Sequence, residues 1–342
     1  MPESTPLRLS DSYGRVATDL RLSLTDRCNL RCTYCMPAEG LPWLPRADIL
    51  TDGELVSLVR VGVELLGIRT IRLTGGEPLL RQNLETLVDK LAGLRTPDGV
   101  KPGLALTTNG IGLADRARDL VAAGLDRINV SLDTLNRETF RVLTRRDRLA
   151  DVLAGIEAAV NSGLAPVKVN SVLMRGINDH EAVDLVEWAG RQGVQLRFIE
   201  QMPLDAQHGW RRSEMVTAEE IHQRLSERFT LVADPADQAA RGAAPAELFR
   251  VGGGSQRVGV IAAVTRPFCG ACDRVRLTAD GQLRNCLFAR EESDLRGPLR
   301  AGASDRELAQ QWVRAVAAKL PGHGINDPSF LQPDRPMSAI GG

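Results

Sequence analysis

DLRLSLTDRCNLRCTYCMP, residues 19–37, passes from an alternating strand directly into three cysteines, Cys28, Cys32 and Cys35, spaced C-x3-C-x2-C. Side chains of an extended chain point alternately to opposite faces, so Leu22 and Leu24 lie on one face and Arg21, Ser23 and Thr25 on the other. The same grammar recurs downstream in TIRLTG (70–75), GLALTT (103–108), DRINVSLD (126–133), PVKVNSVL (166–173) and VQLRFIE (194–200). Helix-length segments at 51–66, 81–94, 115–123, 148–162 and 180–192 separate these runs, with Gly67, Gly124, Gly163 and Gly193 near helix ends. Strand–helix alternation implies parallel pairing with right-handed crossovers. Six such units make either an open doubly wound sheet or a partial (β/α) barrel.

The strand faces favour the barrel. Ile71 and Leu73, Val130 and Leu132, and Val167 and Val169 share the apolar side with Leu22 and Leu24. Arg72 and Thr74, Asn129, Ser131 and Asp133, and Lys168 and Asn170 share the other. Parallel sheets are ordinarily covered on both faces and read as apolar throughout. A polar, cationic inner face therefore predicts a lumen wet enough for a charged ligand; the alternative is a sheet with one face in solvent. The fold expected is α/β, an incomplete (β/α)6 TIM-like barrel over residues 1–233. A smaller C-terminal α+β domain, 234–342, follows. Within it 234–247 (DPADQAARGAAPAE) reads as a flexible loop, RVRLTADGQLRNCLF as a hairpin turning at Asp280-Gly281, and 304–320 as a helix.

Composition narrows the function. Lys+Arg and Asp+Glu both number 43, so no global basic field marks a nucleic-acid or anionic-membrane partner. No run of 18 apolar residues exists, and MPESTPLRLSD lacks the apolar core of a signal peptide, which predicts a cytoplasmic protein. All six cysteines fall in two groups, Cys28, Cys32, Cys35 and Cys269, Cys272, Cys286. Clustering in short loops argues for metal rather than disulfides. The four histidines (His180, His208, His222, His323) are scattered without ligand spacing and read as surface or helix residues. A closed zinc site wants four protein ligands, whereas a four-iron cluster held by three thiolates keeps one iron open. Each triplet fits the second description, or a zinc site that borrows a ligand from elsewhere.

The C-x3-C-x2-C motif with Tyr34 before its last cysteine resembles the radical S-adenosylmethionine superfamily. TGGEP (74–78), at the end of the second strand, resembles the segment that receives the methionyl amine in that superfamily. The wider pattern (IRLTGGEPLLR, LTTNG, INVSLDTL, VKVNSV, RFIEQMP, TRPFCGACDRVRLTADGQLRNCLF and the terminal Gly-Gly) resembles the GTP 3′,8-cyclase family of molybdenum-cofactor biosynthesis from about residue 10 onward. Asp273, where that family usually has Asn, and a lengthened 234–247 segment depart from it.

The resemblance implies two [4Fe–4S] clusters, on Cys28, Cys32 and Cys35 and on Cys269, Cys272 and Cys286. It implies S-adenosylmethionine at Tyr34, Gly76, Ser131 and Met202, and GTP at Arg21, Arg72, Thr107, Lys168, Arg274 and Arg276. The implied reaction is reductive cleavage of S-adenosylmethionine to a 5′-deoxyadenosyl radical and abstraction of H3′ from GTP. C3′–C8 bond formation then gives (8S)-3′,8-cyclo-7,8-dihydroguanosine 5′-triphosphate. Arg274, Arg276, Gly341 and Gly342 are the expected catalytic residues, the two glycines as a tail threading toward the site. Implied partners are a one-electron donor and the cyclic pyranopterin monophosphate synthase that takes the product, with the chain a monomer or a homodimer. Two other readings compete: a radical S-adenosylmethionine peptide- or sulfatase-maturing enzyme with an auxiliary cluster, and a zinc-stabilised nucleic-acid-binding protein.

Overall fold

The computed structural model describes residues 7–341. Six parallel strands stand side by side in chain order: β1 Asp19–Ser23, β2 Thr70–Thr74, β3 Gly103–Thr108, β4 Arg127–Ser131, β5 Val167–Val172 and β6 Gln195–Ile199. The helices Asp52–Arg60, Leu84–Ala92, Ala117–Ala122, Leu149–Asn161 and Ala182–Gln192 fall where periodicity predicts them. The first starts on a Thr51/Glu54 capping box and runs on as a π-turn, Val61–Leu65. Leu22, Leu24, Ile71, Leu73, Val130 and Val169 are all fully buried on the helix side, as the alternation requires.

The C-terminal strands join this sheet instead of forming one of their own. β7 Leu231–Ala233, β8 Glu247–Val251 and β9 Arg257–Ile261 extend one edge, with β9 parallel to β6. β10 Arg274–Leu277, β11 Gln282–Arg284 and β12 Ser293–Asp294 extend the other, with β10 parallel to β1. The order β12-β11-β10-β1-β2-β3-β4-β5-β6-β9-β8-β7 keeps two free ends, so the barrel is incomplete. β10 and β11 form the expected hairpin, with Gly281 at φ +79°. The helix Asp305–Ala317 then packs on the outside, where the fully buried Trp312 lies against the π-turn at Gly62.

The segment 234–247 corrects the expectation of a loop: it contains the helix Pro235–Ala240, capped by Asp234 with Pro235 in the first turn. Asp234 is fully buried and ion-paired with Arg250 (3.3 Å) and Arg257 (2.7 Å). The pattern cannot announce such a partnership, because both arginines arrive from strands further along the chain.

One buried carboxylate locks the C-terminal strands to the barrel. Glu200, fully buried just after β6, accepts from the backbone N–H groups of Ala218 (2.7 Å), Val264 (2.8 Å) and Thr265 (2.8 Å) and from the Thr265 hydroxyl (2.5 Å). Glu200→Ala strands these donors, and each buried unpaired group costs about 1–3 kcal/mol. The variant is expected to lose more than ~3 kcal/mol of stability by denaturant titration; a loss below ~1 kcal/mol would refute the anchoring role.

Candidate active site between two cysteine triplets

Strand register places the lumen residues in rows. Arg276, Arg21 and Arg72 stand abreast on β10, β1 and β2, and Ala105 and Arg127 continue the row. Thr107, Asn129, Lys168 and Gln195 form a second row, and Ser131, Asn170 and Arg197 a third. Arg127 and Arg197 lie outside the expected GTP set, although Arg197 alternates with buried Leu196 and Phe198 just as Arg21 does with Leu20 and Leu22.

These cations have few anions to answer them. Arg21 pairs with Asp19 (3.0 Å), so one of the lumen arginines does have a carboxylate of its own. With the Asn129 amide turned so that its oxygen faces Arg72, Nη1 donates to it (3.0 Å), while the buried Nε atoms of Arg72 and Arg197 find no partner among the described residues. Among the described residues no carboxylate pairs with Arg72 or Lys168. Burial, then repulsion from Arg21, lowers the Arg72 guanidinium to about 9. Burial, then repulsion from Arg197, Arg72 and Arg127, brings the Lys168 ammonium down to about 7. Burial, again with Arg21 against it, takes Arg276 to about 9. A multiply charged anion in this lumen would relieve all three.

The first triplet sits at the C-terminal end of β1, in the loop that opens a cavity of about 250 Å³. Cys28, Cys32, Cys35, Tyr34, Gly76, Thr107, Ser131 and Met202 all line it, so the predicted cluster and S-adenosylmethionine residues are gathered in one place together with Thr107. Gly75 and Gly76 are glycines by necessity. A Cβ on Gly76 would collide with the carbonyls of Asp26 and Arg27, and one on Gly75, at φ +138°, with that of Thr25. The close approach is sealed by Gly76 N–H to Thr25 O and Glu77 N–H to Arg27 O, both 2.7 Å. The GGEP turn thus holds the chain that leads into Cys28.

Two buried carboxylates outside the expected site residues, Glu77 and Asp133, brace this turn and Tyr34. Glu77 accepts from Thr108 Oγ1 (2.6 Å), Asn109 N–H (2.7 Å) and Leu79 N–H (2.9 Å), tying GGEP to the end of β3; burial raises it to about 7. Asp133 accepts from the Tyr34 hydroxyl (2.7 Å) and Val172 N–H (2.8 Å), and burial raises it to about 6. Burial pushes the Cys28 thiol to about 11 and Cys35 to about 12, with Cys32 well above its usual value. Thiols so placed bind metal only by giving up their protons to it.

The second triplet lines a neighbouring cavity with Arg274, Arg276, Asn285, Phe288, His323 and Met202. Met202 therefore lines both cavities, with one triplet in each. His323 departs from the surface placement expected of it. It packs against Phe288 (4.9 Å between ring centroids), and Ile325 N–H donates to its Nδ1 (3.1 Å). Asp273, the departure from the family pattern, is tied to Thr18, whose hydroxyl donates to Oδ2 (3.2 Å) and whose N–H donates to the Asp273 carbonyl (2.9 Å). Burial raises the Cys272 thiol, but the Lys319 ammonium and then Arg274 outweigh it and hold Cys272 below its usual value. Among the described residues no three His, Cys, Asp or Glu side chains converge on a single-ion position.

The chain's end reaches the first cavity. The short helix Met337–Ile340 buries Ile340, and its Met337 and Ser338 line the first cavity, Ser338 against the Cys35 thiol. Gly341 lies against Ser23 and Thr74, and Arg276 donates to its carbonyl. Gly342 lies outside the described residues.

Comparison with known proteins agrees along the chain. Residues 22–189 match the radical SAM superfamily, and residues 194–325 match the family described as Molybdenum Cofactor Synthesis C. The GTP 3′,8-cyclase of Streptomyces coelicolor is 61% identical over 98% of this chain and 96% of its own length. That of Corynebacterium glutamicum is 60% identical over 98% and 89%, and that of Mycobacterium sp. (strain KMS) 58% over 100% and 95%. Among solved structures, native anSMEcpe with bound AdoMet superposes with a TM-score of 0.61 at 15% identity, covering 90% of this chain and 82% of that one. Streptococcus suis SuiB gives 0.57 at 12% identity, covering 91% and 68%; both likenesses speak to the fold. With close relatives matched nearly end to end, the chain belongs to the GTP 3′,8-cyclase family of the radical S-adenosylmethionine superfamily.

Proposed function

We propose that this chain converts GTP to 3′,8-cyclo-7,8-dihydro-GTP in the lumen between the two triplets. The observation that carries the reading is that two sets of three thiols front neighbouring cavities lined in common by Met202, with Arg276 in the second and Arg21 and Arg72 abreast of it on the next two strands. Cys28, Cys32 and Cys35 would hold one [4Fe–4S] cluster, and Cys269, Cys272 and Cys286 the other. Together with S-adenosylmethionine, the clusters supply the one-electron chemistry that opens the ribose C3′–H bond. A one-electron donor and a downstream enzyme that consumes the product complete the scheme. No helix of the described residues is long and apolar enough to cross a membrane.

The chain's own residues bind, orient and exclude. Tyr34, held by Asp133, with Gly76, Ser131 and Met202, would seat S-adenosylmethionine beside the first triplet. Arg21, Arg72, Thr107 and Lys168 line the strand wall and would grip the triphosphate. Arg274 and Arg276 rise from β10 between that wall and the second triplet, and so would fix the nucleotide across both. Holding reacting atoms in one geometry supplies much of such a rate. The tail, whose Gly341 carbonyl already engages Arg276, would help keep water from the site.

Anaerobic reconstitution with iron and sulfide, followed by S-adenosylmethionine, reductant and GTP, tests the reading. Iron near eight per protein and GTP-dependent 5′-deoxyadenosine are expected, from two four-iron sites. Iron near four, or 5′-deoxyadenosine that depends on a peptide instead of GTP, would overturn it.

Lys168 gives a pH signature. With its ammonium at about 7 in the free protein, it is largely neutral above that pH. A neighbouring triphosphate favours the charged form, so binding at higher pH must take up a proton. GTP affinity should therefore fall as pH rises above about 7, by at most roughly tenfold per unit for one proton. Lys168→Met should flatten that slope. Titration calorimetry in two buffers of different ionisation enthalpy measures the uptake, and an equal apparent enthalpy in both would refute it.

A further inference from the structure

Lys319 follows the helix Asp305–Ala317 and is only 5% exposed. Its Nζ donates to the carbonyls of Arg274 (2.8 Å) and Cys272 (3.1 Å) and stands 3.3 Å from Cys272 Sγ. These contacts account for all three of its donors, and among the described residues no carboxylate pairs with it. Withdrawing an ammonium from water is costly unless an opposite charge answers it. Two carbonyl dipoles answer in part. Among the described residues the one ionisable group it hydrogen-bonds is the Cys272 sulfur.

We propose that Lys319 is a positioning residue of the second iron–sulfur site, its ammonium a fixed hydrogen-bond donor to the Cys272 sulfur that favours the reduced cluster. The inference rests on the reading that the second triplet holds a four-iron cluster. The hydrogen bonds sulfurs receive and the net charge nearby set the potential of such a cluster. A positive charge beside a ligand sulfur stabilises the form carrying the extra electron, so its removal lowers the potential. Among the described residues the other two cysteines have no such cation in hydrogen-bond contact with sulfur: Arg15 donates to the Cys269 carbonyl (2.7 Å), not to its thiol. The same amine also spans Cys272 and Arg274, so it fixes the backbone joining a cluster ligand to the first residue of β10.

The test uses the full chain with Cys28→Ser, Cys32→Ser and Cys35→Ser, so that only the second site is loaded. Iron near four per protein in this parent establishes that site independently of Lys319. Its absence would overturn the cluster reading itself. Lys319→Met, Lys319→Gln and Lys319→Arg are then compared by redox titration followed by electron paramagnetic resonance. Met and Gln should move the midpoint negative by about a tenfold change in the reduction equilibrium, ~59 mV for one electron, and Arg should stay near the parent. If Met fails to retain iron, Gln and Arg carry the comparison, since both keep N–H donors and only Arg keeps the charge. Loss of iron from Gln with retention in Arg supports the proposal. Equal potentials in parent, Gln and Arg, or loss of iron from Arg as well, overturn it.

Discussion

Gly76→Ala protein, reconstituted anaerobically, is expected to hold about four irons where the parent holds about eight, and to lose S-adenosylmethionine cleavage by at least ~100-fold. The cause lies in backbone, not in a lost contact. A methyl group at residue 76 would sit inside the carbonyls of Asp26 and Arg27, atoms that have no rotamer to give way. Nor does the GGEP turn have room to retreat. Glu77 is fixed by three donors from its own turn and from the end of β3, and Pro78 and Leu79 are buried. The strain therefore falls on residues 25–27, where Gly76 N–H to Thr25 O and Glu77 N–H to Arg27 O must lengthen and Cys28 must swing away from Cys32 and Cys35. Overpacking of this kind costs roughly 1–3 kcal/mol, so the fold survives while the cluster loop does not. Iron and labile sulfide assays with circular dichroism check this. Eight irons per protein with cleavage within twofold of the parent would refute it.

The local signals in the sequence were the ones that period and spacing can carry. Leu20, Leu22 and Leu24 against Arg21 and Ser23 announced β1 and its polar lumen face, and C-x3-C-x2-C announced the cluster loop. Two further helices carry a local start signal: Asn136 caps Arg137–Thr144, and a Thr217/Glu220 capping box opens Ala218–Ser226. Asp234-Pro235 likewise is a helix start, which Gly242 and Pro245 a few residues on disguised as loop. What no local signal carries is pairing at a distance. Arg274–Leu277 has the same alternation as Asp19–Leu22, but nothing in either run says they lie abreast across more than two hundred residues. The roles of Asp133, Glu200 and Lys319 are invisible for the same reason, since each is defined by partners that only folding delivers.

Gly341→Val is expected to leave both clusters loaded and the melting temperature nearly unchanged, yet to lower GTP cyclisation by about 100-fold, the scale of a ~1 Å misplacement in an ordered site. Two separate obstacles meet at this residue. Its φ of +89° disfavours any side chain, and a branched one most of all. A Cβ there would also lie 2.9 Å from Thr74 Cγ2 and 3.2 Å from Ser23 Cβ, in the gap between the ends of β1 and β2. The preceding anchors hold regardless: Ile340 is fully buried, Met337 N–H bonds the Leu204 carbonyl (3.0 Å), and Arg335 pairs with Asp280 (2.7 Å) and Glu292 (2.8 Å). Because those contacts fix the tail up to residue 340, the substitution acts on the last step alone, forcing the 341 carbonyl off Arg276. Arg276 then loses the partner that orients it, although its guanidinium remains present to attract GTP. Turnover should therefore fall far more than GTP affinity, a split that a variant of Arg276 itself, which removes the binding charge, would not show. A Gly341→Val enzyme that turns over like the parent, or one whose GTP affinity falls as steeply as its rate, would refute the tail's positioning role.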